Sequence, residues 1–347
     1  MYKILVLIIS IGLTNSIYAQ EESKSSSSEK SISVRNAHSM VYDTHKSIVY
    51  LFGGANEEAV LSDLWFLNET QWEKVETDKT PSPRTFASMA YDRVNTRIVL
   101  FGGSKVLFGK TPDSDNLLND TWVFEDNTWK KLITKNAPTP RAEATMVYDE
   151  NRNKLLLFGG YTIEGKKYIK LGDTWEFYDN EWHLVSDKGP SKRHGISMSF
   201  DGESNEVILF GGSTVDKQYG ERKGETWRWD GQKWNKLSIE QPLGVFNATM
   251  TYDPHKEEFV RFGGWNGKSR INTTWVFKEN SWRILASDQS PSPRNHSNMV
   301  YSIKEQRIIL FGGHDGKYVF GDTWEFREHK WHKILDQKPV KRVKNRH

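Results

Sequence analysis

Residues 173–182 read DTWEFYDNEW, with Trp175 and Trp182 seven positions apart. The same spacing returns at Trp65/Trp72, Trp122/Trp129, Trp227/Trp234, Trp275/Trp282 and Trp324/Trp331, so the pairs take twelve of the fourteen tryptophans. Ahead of each pair lies LFGG, or RFGG once, ending at Gly54, Gly103, Gly160, Gly212, Gly264 and Gly313. Ahead of that lies a phrase of the type SMVYD, carrying Met40, Met89, Met146, Met198, Met250 and Met299. Six copies of a unit of roughly 50 residues follow one another with no unrelated segment between them, and such a period decides the fold before anything else does.

Each unit reads as four short strands. Strand a is the methionine phrase. Strand b is β-branched and apolar, as in Ile98-Val99-Leu100-Phe101, and ends at Gly-Gly. Strands c and d carry the first and second tryptophan on the two arms of a hairpin. Its link is expected to hold two residues where it reads Asp230-Gly231 and three where it reads Asp179-Asn180 or Glu279-Asn280. One such sheet cannot cover both of its faces, whereas six in a ring cover one another. The expected architecture is therefore all-β, a six-bladed propeller with four antiparallel strands per blade, each blade built from one repeat. The paired tryptophans then serve packing between blades.

The composition suits a packed body held without disulfides: 36% hydrophobic residues, no cysteine and a net charge of +3 with interspersed charges. No basic stripe suits nucleic acid. Residues 1–19 combine Lys3, an apolar run from Ile4 to Ile11 and a polar stretch to Ala19. That run is too short for a transmembrane span and reads as a secretory signal peptide, which makes the expected location periplasmic or extracellular. Residues 20–33 read as a Ser-rich linker, 34–336 as the propeller and 337–347 as a basic, solvated tail.

The arginine start, the strand ending in Gly-Gly and the downstream tryptophan resemble the kelch repeat, over Arg35 to Leu335. DTWEF…W looks like the variety seen in bacterial secreted kelch proteins. The resemblance implies a binding scaffold, with enzymes a minority. Galactose oxidase, which shares a kelch propeller, needs a Tyr–Cys crosslink for its copper, and this chain has no cysteine. The iron-binding Glu-x3-Asp-x3-His spacing of the plant specifier proteins precedes none of the ten histidines. The bacterial periplasmic sialic acid mutarotase, a six-bladed kelch protein, supplies the enzymatic alternative: a carbohydrate-active epimerase or mutarotase. No cofactor, metal site or catalytic set is expected.

Variable loops on a rigid scaffold carry function more often than uniform ones. The a–b and c–d turns are short and alike, while the b–c loops differ in length and content. The b–c rim is the expected binding face for a glycan or a protein. Its candidates are Tyr161, His194, Trp265, Asn266, His314 and Asp315, with Tyr168, Tyr219 and His296 on the same rim. Aromatic faces beside amide, imidazole and carboxylate groups suit a sugar or a peptide. Trp265 stands outside the paired pattern, and His314-Asp315 reads as half an acid–base or metal site or as an ordinary turn.

Repeat five departs from the rest. Arg35, Arg84, Arg141, Arg193 and Arg294 have Val245 as their counterpart, and Asp63, Asp120, Asp173, Glu225 and Asp322 have Thr273. Loss of both in one repeat predicts that each arginine reaches a carboxylate across the Gly-Gly. The same repeat has Arg261 where the others have Leu51, Leu100, Leu157, Leu209 and Leu310. Arg261 is expected to face the central channel or the rim as a ligand group.

Overall fold

The computed structural model describes residues 31–107, 113–214 and 224–342. The signal peptide, most of the linker, Tyr219 and the final five residues of the tail lie outside the described residues.

Each repeat forms its own four-stranded antiparallel sheet in the order a-b-c-d. In repeat one these are Ser39–Asp43, Ile48–Phe52, Leu64–Asn68 and Gln71–Val75. The other five sheets begin at Ser88, Thr145, Ser197, Thr249 and Asn298 and end at Leu132, Ser186, Lys236, Leu285 and Leu335. The six strands a lie side by side around a central channel. Because each blade is covered on both faces, the middle of strand b is apolar in five of the six repeats, and Leu51, Leu100, Leu157, Leu209 and Leu310 are fully buried.

The tryptophan of strand d locks each blade to the one before it. It packs on a strand-b phenylalanine there, in the pairs Trp129–Phe52, Trp182–Phe101, Trp234–Phe158, Trp282–Phe210, Trp331–Phe262 and Trp72–Phe311, with ring centroids 4.7–5.3 Å apart. Burying an indole removes on the order of 150–250 Å² from water but strands its N–H unless an acceptor is near. A threonine at the start of the preceding strand c is that acceptor: Trp182 donates to Thr121, Trp234 to Thr174, Trp282 to Thr226, Trp331 to Thr274 and Trp72 to Thr323, at 2.8–3.0 Å. Repeat one has Leu64 at this position, and among the described residues the Trp129 Nε1 has no partner.

A second seam runs along the glycines. Gly54 N–H donates to the Arg84 carbonyl of the next blade at 2.9 Å, and the pattern repeats around the ring to Gly313 N–H on Arg35 O at 2.9 Å. Both glycines of every pair have positive φ, as Gly53 and Gly54 illustrate at 65° and 87°. A Cβ on Gly53 would stand 2.8 Å from the Arg84 carbonyl oxygen, so the seam requires glycine. The ring thus closes between repeats six and one by the same contacts that join every other pair, without exchange of a blade strand.

Three expectations need correction. The Asn-containing c–d links are two-residue turns: Asp179-Asn180 and Glu279-Asn280 have φ of 52°/61° and 49°/60°, the left-handed pair that a type I′ turn uses. The Asp230-Gly231 link is the longer one, since Trp229 pairs with Trp234. The folded body begins before residue 34, because Ile32 is 2% exposed within the first inter-blade core. The tail is not wholly solvated either. Val340–Lys341 pairs with Tyr318–Val319 of the last b–c loop, although among the described residues none of the tail joins a blade.

Candidate functional site

The five arginines do reach the carboxylates of their own repeats. Arg35–Asp63, Arg84–Asp120, Arg141–Asp173 and Arg294–Asp322 are two-pronged, at 2.6–3.1 Å, and Arg193 meets Glu225 at 2.8 Å. Each guanidinium also donates to the carbonyl of the first glycine of its own pair, at 2.9–3.1 Å. The carboxylate takes the indole N–H of the first tryptophan as well, as in Trp65 to Asp63 at 2.6 Å. Burial works to raise the Asp322 carboxyl, but the Arg294 charge and hydrogen bonds hold it below its ordinary value. These arginines are committed to the scaffold, which turns attention to the residues beside them.

Two positions after each of the five arginines, and after Val245 in repeat five, stand Ala37, Phe86, Glu143, Gly195, Asn247 and His296, one per repeat. All six have left-handed φ, between 53° and 63°. They form a closed backbone ring: Phe86 N–H donates to Ala37 O, Glu143 to Phe86, Gly195 to Glu143, Asn247 to Gly195, His296 to Asn247 and Ala37 to His296, at 2.7–3.2 Å. The ring surrounds a recess of about 110 Å³ at the b–c end of the channel. The larger cavity, about 480 Å³, is the channel itself, lined by strand a of every repeat. The site is placed at the recess because its side chains differ from repeat to repeat, whereas the channel wall repeats one strand six times.

Next to the ring, residues Asn36, Thr85, Ala142, His194, Phe246 and Asn295 each bridge to the residue that follows Gly-Gly, namely Ala55, Ser104, Tyr161, Ser213, Trp265 and His314. The segment just before strand a thus carries one half of the rim and the start of the b–c loop the other. Four sequence candidates fall on these bridging positions, His194 on the first side and Tyr161, Trp265 and His314 on the second, one step outside the residues that line the recess.

Two polar groups converge there. His194 Nδ1 lies 2.6 Å from Glu143 Oε2. Burial opposes the Glu143 charge, yet His194 foremost, with His296 and Lys170, holds the carboxyl at about 2. An ionised Glu143 therefore fixes the His194 ring through Nδ1, so a ligand would meet Nε2. That ring stands between Tyr161 at 5.7 Å and Phe246 at 5.8 Å, and the Lys170 ammonium lies over Tyr161 and Tyr168. The second group is a chain. Gly316 N–H donates to His314 Nδ1 at 3.0 Å, so His314 carries its proton on Nε2 and gives it to His296 Nδ1 at 2.9 Å. On its other side His296 Nε2 lies 2.5 Å from Asn247 Nδ2, which carries the chain on to the ring residue of repeat five. Burial lowers His296 to about 4 and His314 well below its ordinary value, which keeps both neutral.

The remaining candidates are elsewhere. Asn266 Oδ1 accepts from Lys268 and Ser269 N–H, and Asp315 Oδ1 from Lys317 and Tyr318 N–H, as Asn56 does in repeat one, so both shape their loops. Arg261 does not face the channel or the rim. It is 1% exposed, sealed against Phe210, Trp282 and Trp275 at 4.6, 5.6 and 6.0 Å, and among the described residues no carboxylate pairs with it. Its strand-b position points between blades four and five, where the other repeats bury leucine. Among the described residues no group of three or more His, Asp or Glu side chains is placed to hold a metal ion. Glu143, Phe86 and Asn247 were missed. The signal was present, since a column reading A, F, E, G, N, H inside an otherwise repetitive phrase is a position that packing does not fix.

The family described as the KLHDC2/KLHL20/DRC7 Kelch-repeats domain matches residues 15–178 and 152–347. An F-box/kelch-repeat protein of Arabidopsis thaliana is 30% identical over 201 residues, 51% of this chain and 39% of its own length. The dynein alpha chain of the flagellar outer arm of Chlamydomonas reinhardtii is 31% identical over 123 residues, 34% of this chain and 3% of its own. The chain therefore spans well under half the length of these two relatives. The solved structure of YjhT superposes with a TM-score of 0.67 at 16% identity, over 87% of this chain and 98% of that one, which is a likeness of fold.

Proposed function

The chain belongs to the kelch-repeat family, whose propellers typically serve as protein-interaction scaffolds, and from that premise we propose that it binds a glycan or a protein through its b–c loop face. The observation that carries this reading is the ring of six residues. Arginine, glycine pair, methionine and tryptophan are kept from repeat to repeat because each has a packing task. At the ring the backbone is the same six times and the side chain differs six times. Ala37, Phe86, Glu143 and His296 even accept a left-handed φ that costs such residues energy. Their side chains are therefore not chosen for the backbone. Together with Tyr161, His194 and Trp265 on the neighbouring bridging positions, they gather flat apolar faces and hydrogen-bonding groups at one end of the channel, which suits a sugar ring or a peptide turn.

A glycan array probed with the purified chain, followed by titration of any hit, tests the reading. Trp265→Ala is expected to weaken binding by about 2 kcal/mol or more, the loss of an aromatic hot spot. Unchanged affinity in a folded variant removes Trp265 from the site. The carboxylate–imidazole pair Glu143–His194 favours a second reading, a carbohydrate-active enzyme such as a sugar epimerase or mutarotase. Accelerated interconversion of sugar anomers, followed by NMR and abolished in Glu143→Gln, would favour it over the scaffold.

We further propose that the chain is exported, with residues 1–19 as the cleaved leader. No helix among the described residues is long and apolar enough to cross a membrane. N-terminal sequencing of the mature protein is expected to begin at or near Gln20, and an intact Met1 would overturn the export reading.

A further inference from the structure

After the last blade strand ends at Leu335, the chain turns back over its own b–c face. Gln337 Nε2 donates to Ile32 O at 2.9 Å. Val340–Lys341 then pairs antiparallel with Tyr318–Val319, and Arg342 N–H donates to Lys317 O at 2.8 Å. Val319 is itself bridged to His314, so this strap is an added strand at the edge of the loop that carries the histidine chain.

The strap is held lightly. Two residue pairs make the ladder, Val340 is 43% exposed and Lys341 is exposed as well. Its charge is also poorly matched. Arg270 stacks on Trp265 at 4.5 Å and fills the space left by the missing side chain of Gly316. Arg342 arrives beside it. Burial first and then Arg342 lower Arg270, and Arg342 also bears on His296 and His314. Asp315, the nearby carboxylate that opposes this on Arg270, already accepts two backbone N–H groups of its own loop. Strand addition supplies affinity through the backbone and selectivity through side chains, and here the backbone is satisfied while the charges are alike.

We propose that Tyr318–Val319 is a strand-docking edge, and that the chain's own Val340–Lys341 holds it as a displaceable stand-in for a partner's extended segment bearing a carboxylate where the tail bears Arg342. The proposal rests on the b–c face being the binding face, and its test is independent of any glycan. The probes are two fluorescent 11-residue peptides, one with the sequence of residues 337–347 and one with glutamate in the place of Arg342. The receptor is the full chain carrying Tyr318→Cys and Lys341→Cys, which face each other across the ladder in a protein without other cysteines. In the reduced form, fluorescence polarisation is expected to show the glutamate peptide binding at least tenfold more tightly than the native-sequence peptide. In the oxidised form, with the strap pinned, neither peptide is expected to bind. Equal binding to oxidised and reduced chain, or no binding to the reduced chain, overturns the docking edge. Equal binding of the two peptides to the reduced chain overturns the carboxylate.

Discussion

Arg294→Val is expected to destabilise the fold by about 3–5 kcal/mol, the range for breaking a buried ion pair from one side. Arg294 is fully buried, its guanidinium meets both Asp322 oxygens at 2.6 and 3.0 Å, and it donates to Gly312 O at 2.9 Å. Removing it leaves Asp322, 7% exposed, with the Trp324 indole N–H as its remaining side-chain hydrogen bond among the described residues and the Lys333 charge as a weaker support. Repeat five shows the way out, since Val245 and Thr273 occupy the two positions there. Arg294→Val combined with Asp322→Thr is therefore expected to recover part of the loss, a coupling of 1 kcal/mol or more on the order of those in contacting pairs. Urea denaturation of the wild type, both single variants and the double variant measures it. Additive losses would show that the pair is two independent packing residues.

Arg261→Leu is expected to act in the opposite direction, raising stability by about 1–3 kcal/mol. The guanidinium is buried, its Nε and Nη1 have no hydrogen-bond partner among the described residues, and burial alone pulls it down to about 9. Three aromatic faces within 6.0 Å offset part of the cost, but a ring quadrupole does not replace a counter-ion. Leucine fills this position in the five other repeats at 0% exposure, so the replacement is one the architecture already accommodates. A higher midpoint of denaturation with an unchanged slope is the expected outcome. A lower midpoint would mean that the aromatic box stabilises the cation more than leucine would fill the space.

The rim was only half legible in advance. Tyr161, Trp265 and His314 follow Gly-Gly directly, and His194 precedes strand a, so repeat alignment places all four on one face. Asn266 and Asp315 look the same in the sequence but spend their oxygens on N–H groups two and three residues ahead, a local geometry that appears only when the loop is folded. Glu143 sits in an ordinary-looking PRAEATM and gains its meaning from His194, 51 residues later and one blade away.

What the sequence by itself determined is everything that recurs. Six copies of one pattern specify six sheets, and the joint loss of arginine and carboxylate in repeat five identifies the pairs that span Gly-Gly, because covariation inside one chain reports contact within one blade. The tertiary structure alone decided what happens between blades and around the axis. Trp129 lacks an acceptor because Leu64 belongs to the blade before it. Arg261 turns into an aromatic seam because strand b alternates its side chains between two neighbouring blades. The ring from Ala37 to His296 exists because six identical left-handed bends meet at the axis, each N–H finding the carbonyl of the previous repeat. Those contacts join residues some fifty positions apart, beyond the reach of local periodicity, and closing the circle is what brings them together.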